Sequence, residues 1–170
     1  MDHGRRRHRA PLIVVASTVR HIGPAELRPI GIGEPLATHD VADRSAIVTG
    51  AGSGIGRRAV ALLPAANGAA VLVHDLTSDA ADKVVQEVVD AGGTAAAFVG
   101  DAADEDVAVA AVEAAEALAP LRIAVDNAGI GGPDLPVGEY PTEAWCSVID
   151  VNLDGVFYGM RAQSPAIAAH

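Results

Sequence analysis

Three glycines at fixed spacing, Gly50, Gly54 and Gly56, mark the part of this sequence best suited to chemistry. They stand in Thr49-Gly-Ala-Gly-Ser-Gly-Ile-Gly, directly after the apolar run Ala46, Ile47 and Val48. That run suits a buried parallel strand, whereas Ile55, Val60, Leu62 and Leu63 recur at helical spacing. A strand, a glycine turn and a helix start together make a phosphate site, because the helix start offers free N–H groups and the positive end of a dipole. Gly50 lets the chain turn sharply out of the strand, Gly54 lets backbone approach a pyrophosphate, and Gly56 lets the helix lie close to the sheet. An ordinary strand-to-helix turn is the plain alternative for such a string.

The elements around this turn fall where a dinucleotide site needs them. Val71, Leu72 and Val73 make a second apolar strand that ends in His74-Asp75. Asp75 lies roughly 20 residues past the glycines, where a carboxylate accepts hydrogen bonds from an adenosine ribose. Thr77 or Ser78 caps a second helix reaching about Ala91, with Val84, Val85, Val88 and Val89 as its apolar stripe. Ala95 to Val99 reads as a third strand, Asp104 to Ala119 as a third helix and Leu121 to Val125 as a fourth strand. Gly131 to Pro141 is a loop, and Thr142 caps a helix that carries Trp145, Val148, Ile149, Leu153, Val156 and Phe157. That helix is apolar on several sides, so it must be buried or paired. Pro64 falls inside the first helix, read as Arg57 to Ala70 and closed by Asn67-Gly68, and nothing in the pattern compensates for it.

Thr49-Gly-x-x-x-Gly-x-Gly, Asp75 and the later Asp126-Asn-Ala-Gly together resemble the short-chain dehydrogenase/reductase family over Ser45 to about Ala166. The resemblance implies a Rossmann-type α/β fold, a parallel sheet with flanking helices in strand order 3-2-1-4, truncated after the fourth strand and its helix. It implies hydride transfer between NAD(P) and an alcohol or carbonyl substrate. On it, Gly50, Ser53, Gly54, Ile55, Gly56, Asp75, Leu76, Asp101, Ala102, Asn127, Ala128 and Gly129 are the expected cofactor-binding residues. Asp101 with Ala102 would cradle the adenine; the plain reading of Asp101 is a cap for the next helix. Asn152, in Asp150-Val-Asn-Leu-Asp-Gly-Val-Phe, matches the family's active-site asparagine, which would hold a water in a proton relay; the plain reading is a buried helix asparagine. Asp126 departs from the family, which has asparagine there. Ser53 and Leu76 occupy positions where a basic residue would meet a 2′-phosphate, and both are uncharged, so NAD is expected over NADP.

The family's proton transfer uses a tyrosine with a lysine four residues on, and a serine beside them. Tyr140 is followed at that distance by Ala144 and Tyr158 by Ala162, and the sole lysine is Lys83. Three readings follow. The chain is a cofactor-binding part that is inactive alone, or a working oxidoreductase completed by other sequence, or a non-catalytic NAD-binding or interaction module.

The totals narrow the classes. Half the residues are apolar but only 3% are aromatic, so the core is built from Val, Ile, Leu and Ala. Met1 to Arg44 carries a net charge of +2, and the remainder −12, so the domain lacks the positive surface that nucleic acid requires. Cys146 is the single cysteine, which suits a reducing cytoplasm, and no apolar run approaches a membrane span. No metal site is expected, and self-association through the helix from Thr142 is. Residues 1–40 read as a disordered or mis-assigned leader and 41–170 as the NAD-binding domain. The leader's Arg cluster and apolar Pro11 to Val15 have the outline of a secretory signal, but the run is short and no small-residue cleavage site follows. The fourth strand is left with an open edge in this reading.

Overall fold

The structure, a computed structural model, describes residues 12–14 and 41–170. Five strands, β1 (Leu12–Val14), β2 (Ser45–Thr49), β3 (Ala70–Asp75), β4 (Thr94–Val99) and β5 (Leu121–Val125), form one sheet in the order β1-β5-β2-β3-β4. All its pairings are parallel. The part β4-β3-β2-β5 is the 3-2-1-4 order of a Rossmann-type sheet. Parallel neighbours need crossovers, and helices supply them. Gly56–Ala61 and Leu62–Ala66 together make α1, Ser78–Asp90 is α2 and Glu105–Glu116 is α3. After β5, α4 (Thr142–Ile149) runs through Asp150–Asp154 into α5 (Gly155–Ala169).

Side chains alternate across each strand, so the sheet feeds two cores. Ala46, Val48, Val71 and Val73 pack with Ala61 and Ala65 of α1 and with Ala81, Val84 and Val88 of α2. Ile47, Leu72, Leu121 and Ala124 face the other way, onto Ala111 and Ala115 of α3 and Ile167 of α5. The buried positions of α5 are Gly155, Gly159, Gln163 and Ile167, one every fourth residue, which is a single helical stripe.

Several sequence expectations are corrected. The edge of β5 is not open along its length: Leu12, Ile13 and Val14 pair with Ile123, Ala124 and Val125. An edge strand presents unpaired N–H and C=O groups, and an extended apolar segment satisfies them. The rest of the leader, with its Arg cluster, lies outside the described residues. The first helix ends at Ala66, and Ala70 belongs to β3. Gly68 (φ 91°) turns the chain there, and Asn67 Nδ2 donates back to the Leu63 carbonyl at 2.8 Å. Thr142 is the first residue of α4 and makes no capping bond; Pro141 holds the cap position. Thr77 does occupy the cap of α2, but its side chain makes no capping bond. The helix from Thr142 is paired in its α5 part, which packs on α3 and β5, but Trp145, Leu153 and Phe157 lie off that seam, each more than half exposed, with Phe157 touching the ring of Tyr158.

Pro64 meets an accommodation that periodicity does not reveal. It cannot donate to the carbonyl of Val60. The stretch before it, Gly56–Ala61, is wound as a π-helix, the wider turn in which helices absorb an interruption. Pro64→Ala restores the missing donor in a helix of otherwise good formers. It should raise the unfolding free energy by about 2 kcal/mol in urea titration; an unchanged or lower midpoint would show that the π-turn depends on the proline.

Candidate functional site

The sheet opens a cleft where β2 and β5 end. Their neighbours cross to opposite faces from that point, which is where ligands bind in doubly wound folds. Thr49 and Asn127 tie the two chain ends together. Thr49 Oγ1 accepts the N–H of Asn127 at 2.9 Å and that of Ala128 at 3.0 Å. Asn127 Nδ2 donates to the carbonyls of Thr49 at 2.9 Å and Gly50 at 3.2 Å. The glycine turn is thus fixed from below by β5.

It is fixed from the side by β3. Asp75 Oδ2 accepts the N–H of Gly52 at 2.8 Å, and Asp75 Oδ1 accepts that of Thr77 at 3.4 Å. Gly52 was not singled out from the sequence, yet the position admits no side chain: a methyl group there would lie 2.7 Å from Asp75 Oδ2 and 2.5 Å from the Cβ of Ala80. Gly54 is the opposite case. Its φ is 57°, and a methyl group would meet no atom within 4 Å, so its backbone borders open space.

The cleft encloses about 970 Å³. Every residue expected to hold a cofactor lines it: Gly50, Ser53, Gly54, Ile55 and Gly56 from the turn, Asp75 and Leu76 after β3, Asp101 and Ala102 after β4, and Asn127, Ala128 and Gly129 after β5. Asn152 lines it as well. Asn152 lies in the π-helical segment Asp150–Asp154 between α4 and α5. Its Oδ1 accepts the N–H of Ile130 at 2.8 Å and its Nδ2 donates to the Ile130 carbonyl at 3.0 Å, so it braces the loop after Gly129. It is exposed, not a buried helix asparagine. Asp101 closes a local turn, accepting from the N–H of Ala103 at 2.9 Å, while the cap of α3 is Asp104, which accepts from Asp106 N.

Lys and Arg are absent from the wall of the cleft among the described residues, and burial pushes the pKa of its histidine, His74, down. Arg57, next after the turn, is drawn away by Glu87 of α2, whose carboxylate takes both Nε and Nη2. Open backbone at Gly54 and a carboxylate at the end of β3 with lone pairs to spare fit a dinucleotide.

His74, Gly100, Ile130, Val151 and Val156 also line the cleft and are not among the residues expected from the sequence. Ile130 and Val151 adjoin residues that were named, and adjacency was the available signal. Asp126 lines the cleft too. Its side chain is buried against α5, where Oδ1 accepts from Gln163 Nε2 at 2.8 Å. Burial pushes its carboxyl pKa up, and the Gln163 bond offsets this in part. Burial also pushes the His74 imidazole down, against the Gly100 carbonyl and the charges of Asp75 and Asp101.

A family model described as short chain dehydrogenase matches residues 44–170. The chain is 44% identical over 137 residues to cyclohexanol dehydrogenase of Acinetobacter sp. (strain SE19), covering 80% of this chain and 54% of that protein. It is 42% identical over 124 residues to 2-dehydro-3-deoxy-L-rhamnonate dehydrogenase (NAD(+)) of Sphingomonas sp. (strain SKA58), covering 73% and 48%. Among solved structures, a metagenomic short-chain oxidoreductase in complex with NADP superposes with a TM-score of 0.72 at 30% identity, covering 77% of this chain and 59% of that one. The chain therefore spans about half the length of the curated relatives it matches.

The buried Asp126 predicts a pH dependence. Its folded pKa lies above its ordinary value of 3.8, so its contribution to stability is present below that value and is lost as pH rises through the folded pKa. His74 works in the other direction: its folded pKa lies below 6.5, so its contribution is lost as pH falls through that lower value. Asp126→Asn keeps the acceptor for Gln163 and removes the titration. In urea unfolding it should gain on the wild type as the pH is raised from 4 to 8. Parallel stability profiles for the two proteins would contradict the assignment.

Proposed function

The chain belongs to the short-chain dehydrogenase family, and from that premise we propose that it is the dinucleotide-binding part of an NAD-dependent oxidoreductase acting on an alcohol/carbonyl pair. The observation that carries this reading is the carboxylate of Asp75, which holds the glycine turn while facing the same cleft. When bound, NAD supplies the hydride acceptor. The chain's own residues bind and orient it. The turn from Gly50 to Gly56 would hold the pyrophosphate, Asp75 would accept hydrogen bonds from the ribose, Asp101 and Ala102 would hold the adenine, and Asn127 to Gly129 would hold the second ribose. Asn152, through its two bonds to Ile130, holds the loop after Gly129 and would hold a water in a proton relay.

The 170 residues contain no Tyr-x-x-x-Lys. A proton donor and acceptor for the substrate oxygen must then come from other sequence, in a continuation or a partner chain, and the chain alone binds without turning over. The division into a leader, 1–40, and a binding domain, 41–170, goes with this reading, as does a cytoplasmic location. No helix among the described residues is long and apolar enough to cross a membrane.

Asp75 would repel a 2′-phosphate, and no described basic side chain in the cleft would receive one. Calorimetric titration should show NAD binding at least about tenfold tighter than NADP, a difference of about 1.4 kcal/mol. Asp75→Asn, which keeps an acceptor for Gly52 N, should narrow that ratio severalfold. Tighter binding of NADP by the wild type would overturn the NAD assignment.

Self-association is a second part of the proposal, supported by the exposed Trp145, Leu153, Phe157 and Met160 on α4 and α5 and the segment between them. Light scattering should give a mass above that of one chain, falling to one chain in Leu153→Asp/Phe157→Asp. A monomeric wild type would end this part of the reading.

A further inference from the structure

Behind the cleft, between the sheet and the layer of α3 and α5, lies a second and much smaller cavity. About 10 Å³ of it is open to the centre of a water-sized sphere, close to the space one water molecule needs. Thr49 of β2, His74 of β3, Asp126 at the end of β5, Ala108 and Ala111 of α3 and Gln163 of α5 line it. His74, Asp126 and Gln163 are each no more than 4% exposed. Each carries one atom with no hydrogen-bond partner: His74 Nδ1, Asp126 Oδ2 and Gln163 Oε1. Ser45 Oγ is the other such atom among the described residues. Buried polar atoms are almost always satisfied, so residues carrying three orphans around one cavity point to a missing partner.

The chemistry of the orphans identifies it, because all three are acceptors. His74 Nε2 lies 3.1 Å from the Gly100 carbonyl, which only accepts, so Nε2 carries a proton; burial favours the neutral ring, in which Nδ1 is then a bare lone pair. Gln163 Nε2 donates to Asp126 Oδ1, which fixes the amide and leaves Oε1 as an acceptor. Thr49 Oγ1 accepts from Asn127 and Ala128 and has one hydrogen of its own to give. A cation is missing from the lining. Apart from Asp126, His74 is its one titratable side chain, and the charged groups acting on His74 are the acids Asp75 and Asp101. A charged Asp126 would therefore stand without a counter-charge.

We propose that this cavity binds one water molecule and one proton together, the proton on Asp126 Oδ2 and the water donating to His74 Nδ1 and Gln163 Oε1 while accepting from Asp126. Every orphan then has a partner, and no net charge is buried. Burial acts in the direction this arrangement needs, raising the carboxyl and lowering the imidazole. His74 directly precedes Asp75 and Asp126 directly precedes Asn127, and His74 and Asp126 themselves border both spaces, so the hydrated pocket backs the wall of the cleft.

The test uses the full chain, labelled with carbon-13 and nitrogen-15. The Asp126 carboxyl carbon should keep its acid-form shift at pH 6, about two units above the ordinary aspartate pKa. The side-chain amide of Gln163 should show a cross-peak to a long-lived water. Asp126→Asn should retain the water cross-peak while the corresponding carbon no longer titrates. An Asp126 carboxyl that ionises near pH 4, or a Gln163 amide without a bound-water cross-peak, would overturn the proposal. Both readouts come from the wild-type chain and stand even if the variant does not fold.

Discussion

The cleft depends on four hydrogen bonds between Thr49-Gly50 and Asn127-Ala128. At this point two parallel strands stop pairing and their chains depart to opposite faces of the sheet. Backbone groups released from the ladder need partners. One hydroxyl and one carboxamide supply them, holding the ends of β2 and β5 together without closing the space above. Asp75 then fixes the glycine turn from the third side through Gly52. The open backbone at Gly54 is a consequence of this bracing, since a turn held at Gly50 and Gly52 has its remaining surface free to face a ligand.

The same constraint gives Asp126 its peculiar environment. Asn127 must aim back at Thr49, so the residue before it points to the other face of the sheet, beneath α5. There it meets Gln163 and the close approach of Gly159, where a methyl group would sit 2.5 Å from Asp126 Oδ1. A carboxyl in that position trades solvation for a single amide bond. Asp126 lines both the cleft and the small cavity behind it, so an aspartate at this position changes the wall between the two.

How much was legible in the sequence follows the range of the interactions involved. The turn from Thr49 to Gly56 is local, and spacing alone revealed it. Asp75 was found by its distance from the glycines, but its bond to Gly52 spans 23 residues and had no local sign. Gln163 lies 37 residues from Asp126, so the burial of that carboxyl was equally hidden. β1 could not be read because three residues have no periodicity to show, and its pairing with β5 is what makes it a strand. The π-helical segments at Gly56–Ala61 and Asp150–Asp154 conserve the helical pattern well enough to pass as ordinary helix. Trp145 and Phe157 show the reverse limit: their pattern demands a partner, but pattern does not say what the partner is.

The central claim is that these braced chain ends form a dinucleotide cleft. It is tested most directly by following backbone amide resonances of the full chain as NAD is added. The account predicts saturable shifts concentrated at Gly50 to Gly56, Asp75 and Leu76, Asp101 and Ala102, and Asn127 to Gly129. Shifts that fail to saturate, or that fall on the exposed face of α4 and α5 instead, would contradict it.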